Sequence, residues 1–171
     1  MYPKEYIEFL VRFHGDRDYF ECHEILEEYW KKTDPRNKKS IWVGLILLAV
    51  ANYHHRRENF NGAKRTIEKS INILEQKNNE LESIGIDPIS LLELLKIRQK
   101  HITLENEYAS FDLPITNQSL LVSCQEICQQ NNLTWSSQSD IENKELVDRH
   151  ALRDRSAIIL ERLNALKKGS E

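Results

Sequence analysis

The sequence predicts an all-α protein, an antiparallel helical bundle followed by a helical C-terminal extension. Three observations carry this. Apolar residues recur at three- and four-residue spacing through most of the chain. Only 5 Gly and 4 Pro interrupt 171 residues, so elements are long and turns few. Helix-start and helix-stop signals bracket the periodic segments, and the connections between the early ones are short enough to force antiparallel neighbours.

The first helix is expected from about Pro3 to Phe13, with Tyr6, Ile7, Leu10, Val11 and Phe13 inward and Gly15 as its stop. Asp18 then offers an N-cap, with Glu21 three residues on, as in a capping box. The second helix runs from about Tyr19 to Lys32, and Lys31 and Lys32 suit the negative end of its dipole. Asp34-Pro35 is a turn. The third helix, about Lys38 to Arg57, is apolar on most sides between Ile41 and Tyr53 and is therefore central. Asn59 to Gly62 breaks the pattern. Ala63, Ile67, Ile71 and Leu74 form the stripe of a fourth helix, and Gly44 and Ala63 allow helices to approach closely. Asp87-Pro88 starts another, with Leu91, Leu92, Leu95 and Ile102 inward.

Residues 1–79 are read as the bundle, 80–110 as an additional packed helix and 111–171 as the extension. Phe111 to Gln118, with Pro114, is the candidate linker. Leu120 to Cys128 is expected to be a short helix, with a strand at Leu120-Leu121-Val122 as the alternative. A long amphipathic helix is expected from about Ile141 to Lys168. Its heptad seam of Leu152, Ile159, Leu163 and Leu166 serves packing onto the chain itself or, as the second choice, a homo-oligomer.

Composition excludes several functions. A net charge of -3 gives no global attraction to nucleic acid or anionic membrane. The basic run Arg149 to Arg155 has acids beside it and no interleaved aromatics, and reads as a solvated face. Three cysteines, Cys22, Cys124 and Cys128, make a poor disulfide framework and suggest a reducing compartment. No signal core precedes residue 14, and the apolar run Ile41 to Ala51 is too short to span a bilayer. The expected location is the cytoplasm. No Gly-rich phosphate loop, dinucleotide fingerprint or nucleophile elbow occurs.

The chemistry-bearing segment is Phe20-Glu21-Cys22-His23-Glu24-Ile25-Leu26-Glu27-Glu28-Tyr29-Trp30. His23 and Glu27 are four apart and share a helix face, with Trp30 three further on. Trp30 reads first as core. Glu24 and Glu28 point about 100° away and are read as solvated. Three readings stay open. His23 and Glu27 are two ligands of a divalent transition metal that takes its third from His54, His55, His14 or Asp18. Alternatively, Glu27 tunes His23 as a metal-free general acid or base. In the third reading the face is a buried polar network that fixes packing. Hairpin pairing of the second and third helices brings His54 near Asp18 and Tyr19 and makes it the best third ligand. Tyr53 and His54 extend the network, whereas His55, Arg56 and Arg57 read as a solvated helix end. A zinc-protease site would need a second His where Glu27 stands. A di-iron bundle would need paired Glu-x-x-His elements.

His23-x-x-x-Glu27-x-x-Trp30, set in Tyr19-Phe20-Glu21-x-His23-Glu24-x-Leu26-Glu27, resembles the hallmark of the bacterial and archaeal family called domain of unknown function 309. Gly44-Leu45-Ile46, Ala49-x-Ala51-x-Tyr53-His54 and Asn59-x-x-Gly62-Ala63 resemble it too, over about residues 8–77. The resemblance implies a small helical bundle, an unassigned function and a metal proposed at the motif. One position departs from it: Leu47 stands where a polar Gln is expected, which removes a polar partner from the vicinity of His23. The expected function is a small-ligand-binding or protein-binding, regulatory module built on the His23, Glu27 and Trp30 face. The alternative is a metal-dependent enzyme, a hydrolase for instance, on His23, Glu27 and His54.

Overall fold

The computed structural model describes residues 1–148. The heptad seam from Leu152 to Leu166 and the basic run from Arg149 therefore lie outside the described residues. Among the described residues eight helices follow in order: α1 (Lys4–His14), α2 (Tyr19–Thr33), α3 (Ile41–Arg56), α4 (Phe60–Leu74), α5 (Asn78–Ser83), α6 (Pro88–Thr103), α7 (Gln118–Gln130) and α8 (Lys144–Val147). The described residues contain no strand; one isolated antiparallel bridge joins Ile86 and Ile115. None of these helices is long and apolar enough to cross a membrane.

Side-chain caps define most of the starts. Asp18 accepts from the Glu21 amide, Ser40 from Trp42, Asn59 from Gly62, Asp87 from Ser90 and Asn117 from Leu120. Each satisfies an amide that the first helical turn leaves without a partner, a contribution of about 1 kcal/mol. The strand alternative at residues 120–122 gives way to α7, whose Leu120, Cys124 and Cys128 are buried one turn apart. The short helix α5 carries no sequence periodicity long enough to announce it.

Central α3 packs against α2 on one side and α4 on the other; α1 packs on α2 and α7, and α6 on α4. Leu45 and Leu48 are wholly buried, each worth about 2 kcal/mol by the apolar area removed from water. At Gly44, α3 and α4 approach closely. A Cβ there would stand 2.6 Å from Leu74 Cδ2, and its carbonyl accepts from Ser70 Oγ at 2.7 Å.

Phe111 to Gln118 is not an exposed tether. Phe111 and Leu113 are buried, as is Tyr108 just before them. Residues 104–117 form a strap across the bundle, and 135–148 wrap over the same end. Both are drawn in by side chains at the α1–α2 turn and the end of α3. Arg17 is 1% exposed and donates to the carbonyls of Phe13, Phe111 and Ser137 and to Asp112. Arg56 donates to Arg17 O, Ser139 Oγ and Leu146 O and lies over the Tyr19 ring at 4.7 Å. His55 Nε2 bonds Asn106 O at 2.9 Å. The solvated end expected for His55 and Arg56 is thus corrected. Both are buried because the strap and wrap supply carbonyls that replace water. Arg57 stays half-buried and pairs with Asp148 at 2.8 Å.

His14 belongs to this knot and not to the motif face. Its Nδ1–H donates to Leu10 O at 2.7 Å, and Nε2 accepts from the Leu113 amide at 2.9 Å. With both nitrogens so used the ring is neutral. Burial dominates in lowering its pKa to about 4, aided by nearby Arg17 and opposed by the Leu10 bond and Asp112. Trp135 stacks on it at 4.3 Å.

Candidate functional site

The first turns of α2 and the last turns of α3 lie side by side because the α2–α3 connection reverses the chain. Their facing positions line a cleft of about 140 Å³, formed by Tyr19, Phe20 and His23 from α2 and by Val50, Tyr53 and His54 from α3. That volume suits one six-membered ring. The rings are contiguous: Phe20 lies 5.9 Å from His23 and 6.3 Å from Tyr53, and Tyr53 lies 5.9 Å from His54. Arg57 sits over the outer side of this array, 5.3 Å from the Tyr53 centroid. A larger recess of about 460 Å³ beside Tyr2 and Asn117 is lined by no acid, His, Cys, Lys or Arg and offers no comparable chemistry.

His23 reaches the cleft already oriented. Its Nε2–H donates to Glu27 Oε2 at 2.6 Å, one helical turn on, and Glu27 Oε1 meets Lys31 Nζ at 2.8 Å another turn on. Partial burial pushes the Glu27 carboxyl up. The Lys31 bond, the His23 charge and the His23 bond together outweigh that, so it titrates below its ordinary value. In the neutral imidazole the lone pair is then on Nδ1, where Glu24 Oε1 is 3.9 Å away. Such a pair can hold an imidazole in one tautomer and present a base or hydrogen-bond acceptor.

The structure divides the predicted residues. His23, Tyr53 and His54 share the cleft. Glu27 supports His23 from behind. Trp30 lies further along α2, partly packed on the core, with Nε1 donating to Asn37 O at 3.0 Å; it secures the α2–α3 turn. The face is half-exposed, His23 at 25% and Glu27 at 32% of their side chains, which corrects the buried network expected there. The lining by Tyr19, Phe20 and Val50 went unpredicted. Positions 19, 20 and 23 on one helix and 50, 53 and 54 on the next carry the helical spacing that could have revealed it.

The proposed metal can be tested against this geometry. His23 Nε2 and Glu27 Oε2 bond each other, Glu27 Oε1 is held by Lys31, and among the described residues no three His, Cys, Asp or Glu side chains are placed to hold one ion. Of the other candidate ligands, His14 and His55 bond the strap, and Asp18 caps α2. As placed, these residues do not fit a metal centre.

A helical bundle with an aromatic, histidine-bearing cleft between two antiparallel helices is the class of protein that fold and site define. The family model described as Domain of unknown function (DUF309) matches residues 6–66, which hold the whole cleft. A relative, the uncharacterized protein YpuF of Bacillus subtilis (strain 168), is 47% identical over 168 residues, covering 98% of this chain and 97% of its own. The chain belongs to the domain of unknown function 309 family. The likeness to YpuF runs beyond the bundle through the strap and wrap. No solved structure matches the chain.

Proposed function

We propose that the protein is a small-ligand-binding module whose cleft takes one planar ring, with the Glu27-oriented His23 as its polar anchor. The observation that carries this is the convergence of the motif imidazole and His54 on one aromatic-lined space of single-ring size. Aromatic walls bind by area and stacking, and a few placed polar groups fix orientation. The same arrangement gives His23 the tautomer a general base needs. The metal-dependent alternative on His23, Glu27 and His54 requires Glu27 to leave both His23 and Lys31. The sparse, odd set of cysteines supports a reducing compartment, and with it a cytoplasmic location, for the module.

Benzamide is a suitable probe, with a flat ring, a carbonyl acceptor and an amide donor. Titrated into 15N-labelled protein, it is expected to shift amide signals of residues 19–23 and 50–54 with a Kd on the order of millimolar. Those shifts should vanish in His23→Ala. Shifts scattered over the surface, or shifts that survive in His23→Ala, count against the reading. Elemental analysis decides the rival: stoichiometric zinc, iron, manganese or nickel that is lost in His23→Ala would establish it instead.

A further inference from the structure

The end of α3 and the start of α4 meet at His54, Asn59 and Gly62. Asn59 caps α4, and its Oδ1 accepts from the Gly62 amide at 3.2 Å. That bond fixes which way the side-chain amide faces, because an amide nitrogen could not accept there. Asn59 Nδ2 is consequently the atom 3.1 Å from His54 Nδ1. An amide nitrogen only donates, so Nδ1 must carry the lone pair. Gly62 closes the arrangement. A Cβ on it would stand 2.7 Å from Asn59 Nδ2 and 3.0 Å from His54 Cγ, pressing on both partners.

We infer that Asn59 is a positioning residue that holds neutral His54 with its proton on Nε2, through a contact that a side chain at position 62 would crowd. The cap orients the amide, the amide sets the tautomer, and the tautomer sets what the cleft offers. Nδ1 and Cγ face the start of α4, so Nε2–H is on the ring edge turned away from it. In this tautomer the His54 Nε2–H is a donor, matched in chemistry by a carbonyl or carboxylate oxygen. His23 carries the same Nε2–H tautomer, but its proton is committed to Glu27, so what it presents is the Nδ1 lone pair. The Asn59-x-x-Gly62 motif, five to eight residues beyond His54, thus gains a role at the site besides starting a helix.

This inference deepens the binding reading, but it is tested on the protein alone, so a failed benzamide titration and a failed tautomer assignment are separate results. The measurement is long-range 1H–15N correlation of the histidine rings in the full chain, well above the imidazole titration range. The wild type should show His54 in the Nε2–H form. Asn59→Asp keeps a good cap but replaces the donor by an acceptor. It should move His54 to the Nδ1–H form with the unfolding midpoint nearly unchanged. Asn59→Ala should leave a mixture. A wild-type Nδ1–H form, or a tautomer unaffected by Asn59→Asp, overturns the inference.

Discussion

Two neighbouring regions at the end of α3 treat polar residues in opposite ways. On the cleft side, His23 and Glu27 form a half-exposed pair along a single helix. At the knot, His14, Arg17 and Arg56 are buried and bond to chain 83 to 120 residues away. An exposed i,i+4 pair is worth little, because water competes for both partners. A buried guanidinium stripped of its carbonyls leaves several groups unsatisfied at once. Stability is thus expected to concentrate at the knot, which is consistent with the binding role proposed for the motif face. One residue joins the two. Tyr19 lines the cleft, shares a hydrogen bond with Tyr108 of the strap and lies beneath Arg56.

Substitutions at the two regions should differ accordingly. The largest effect is expected from Arg17→Met, which leaves the Phe111 and Ser137 carbonyls and Asp112 without their donor. A loss of about 3 kcal/mol in urea unfolding is expected. A loss below about 1 kcal/mol would abolish the contrast.

Acid should act at the knot next. His14 has a folded pKa of about 4, below its ordinary value near 6.5, so the unfolded state binds more protons between those values. Stability therefore falls as pH drops from about 6.5 to about 4 and levels off for this group below that. At about 1.4 kcal/mol for each pH unit of separation, the full loss is roughly 3 kcal/mol. Buried His55, its pKa also lowered chiefly by burial, acts with the same sign. Glu27 and Asp112 titrate below their ordinary range and withdraw their contributions at lower pH. His14→Gln should thus flatten the slope by about one proton across that window. An unchanged slope would mean that the Leu113 bond does not hold the ring neutral.

Asn59→Ala should cost about 1 kcal/mol through loss of the α4 cap, with Asn59→Asp within a few tenths of wild type. The smallest effect belongs to His23→Ala, below about 1 kcal/mol, since its pairing is partly solvated. A loss as large as that of Arg17→Met would make the motif structural.

The bundle was legible in the sequence because periodicity and caps are local signals. Asp18, the Ala63 to Leu74 stripe and Asp87-Pro88 each mark what they were read to mark. His54 beside His23 was legible for the same reason, through hairpin pairing. The knot was not. Arg17 takes a left-handed backbone, φ 56°, in a short turn, and its partners lie near residues 111 and 137. No spacing rule connects them. The strap was misread because Pro114 and polar neighbours look like a tether when the carbonyls they bring to Arg17 are not visible. Arg56 was misread because a basic helix end ordinarily meets water, and here it meets the wrap.

The most direct test joins the two halves of the comparison in one variant. His23→Ala should keep the wild-type urea midpoint to within about 1 kcal/mol and yet lose the benzamide-induced shifts at residues 19–23 and 50–54. A variant that still binds, or one that unfolds before binding can be measured, would contradict the assignment of this face to binding and of the knot to stability.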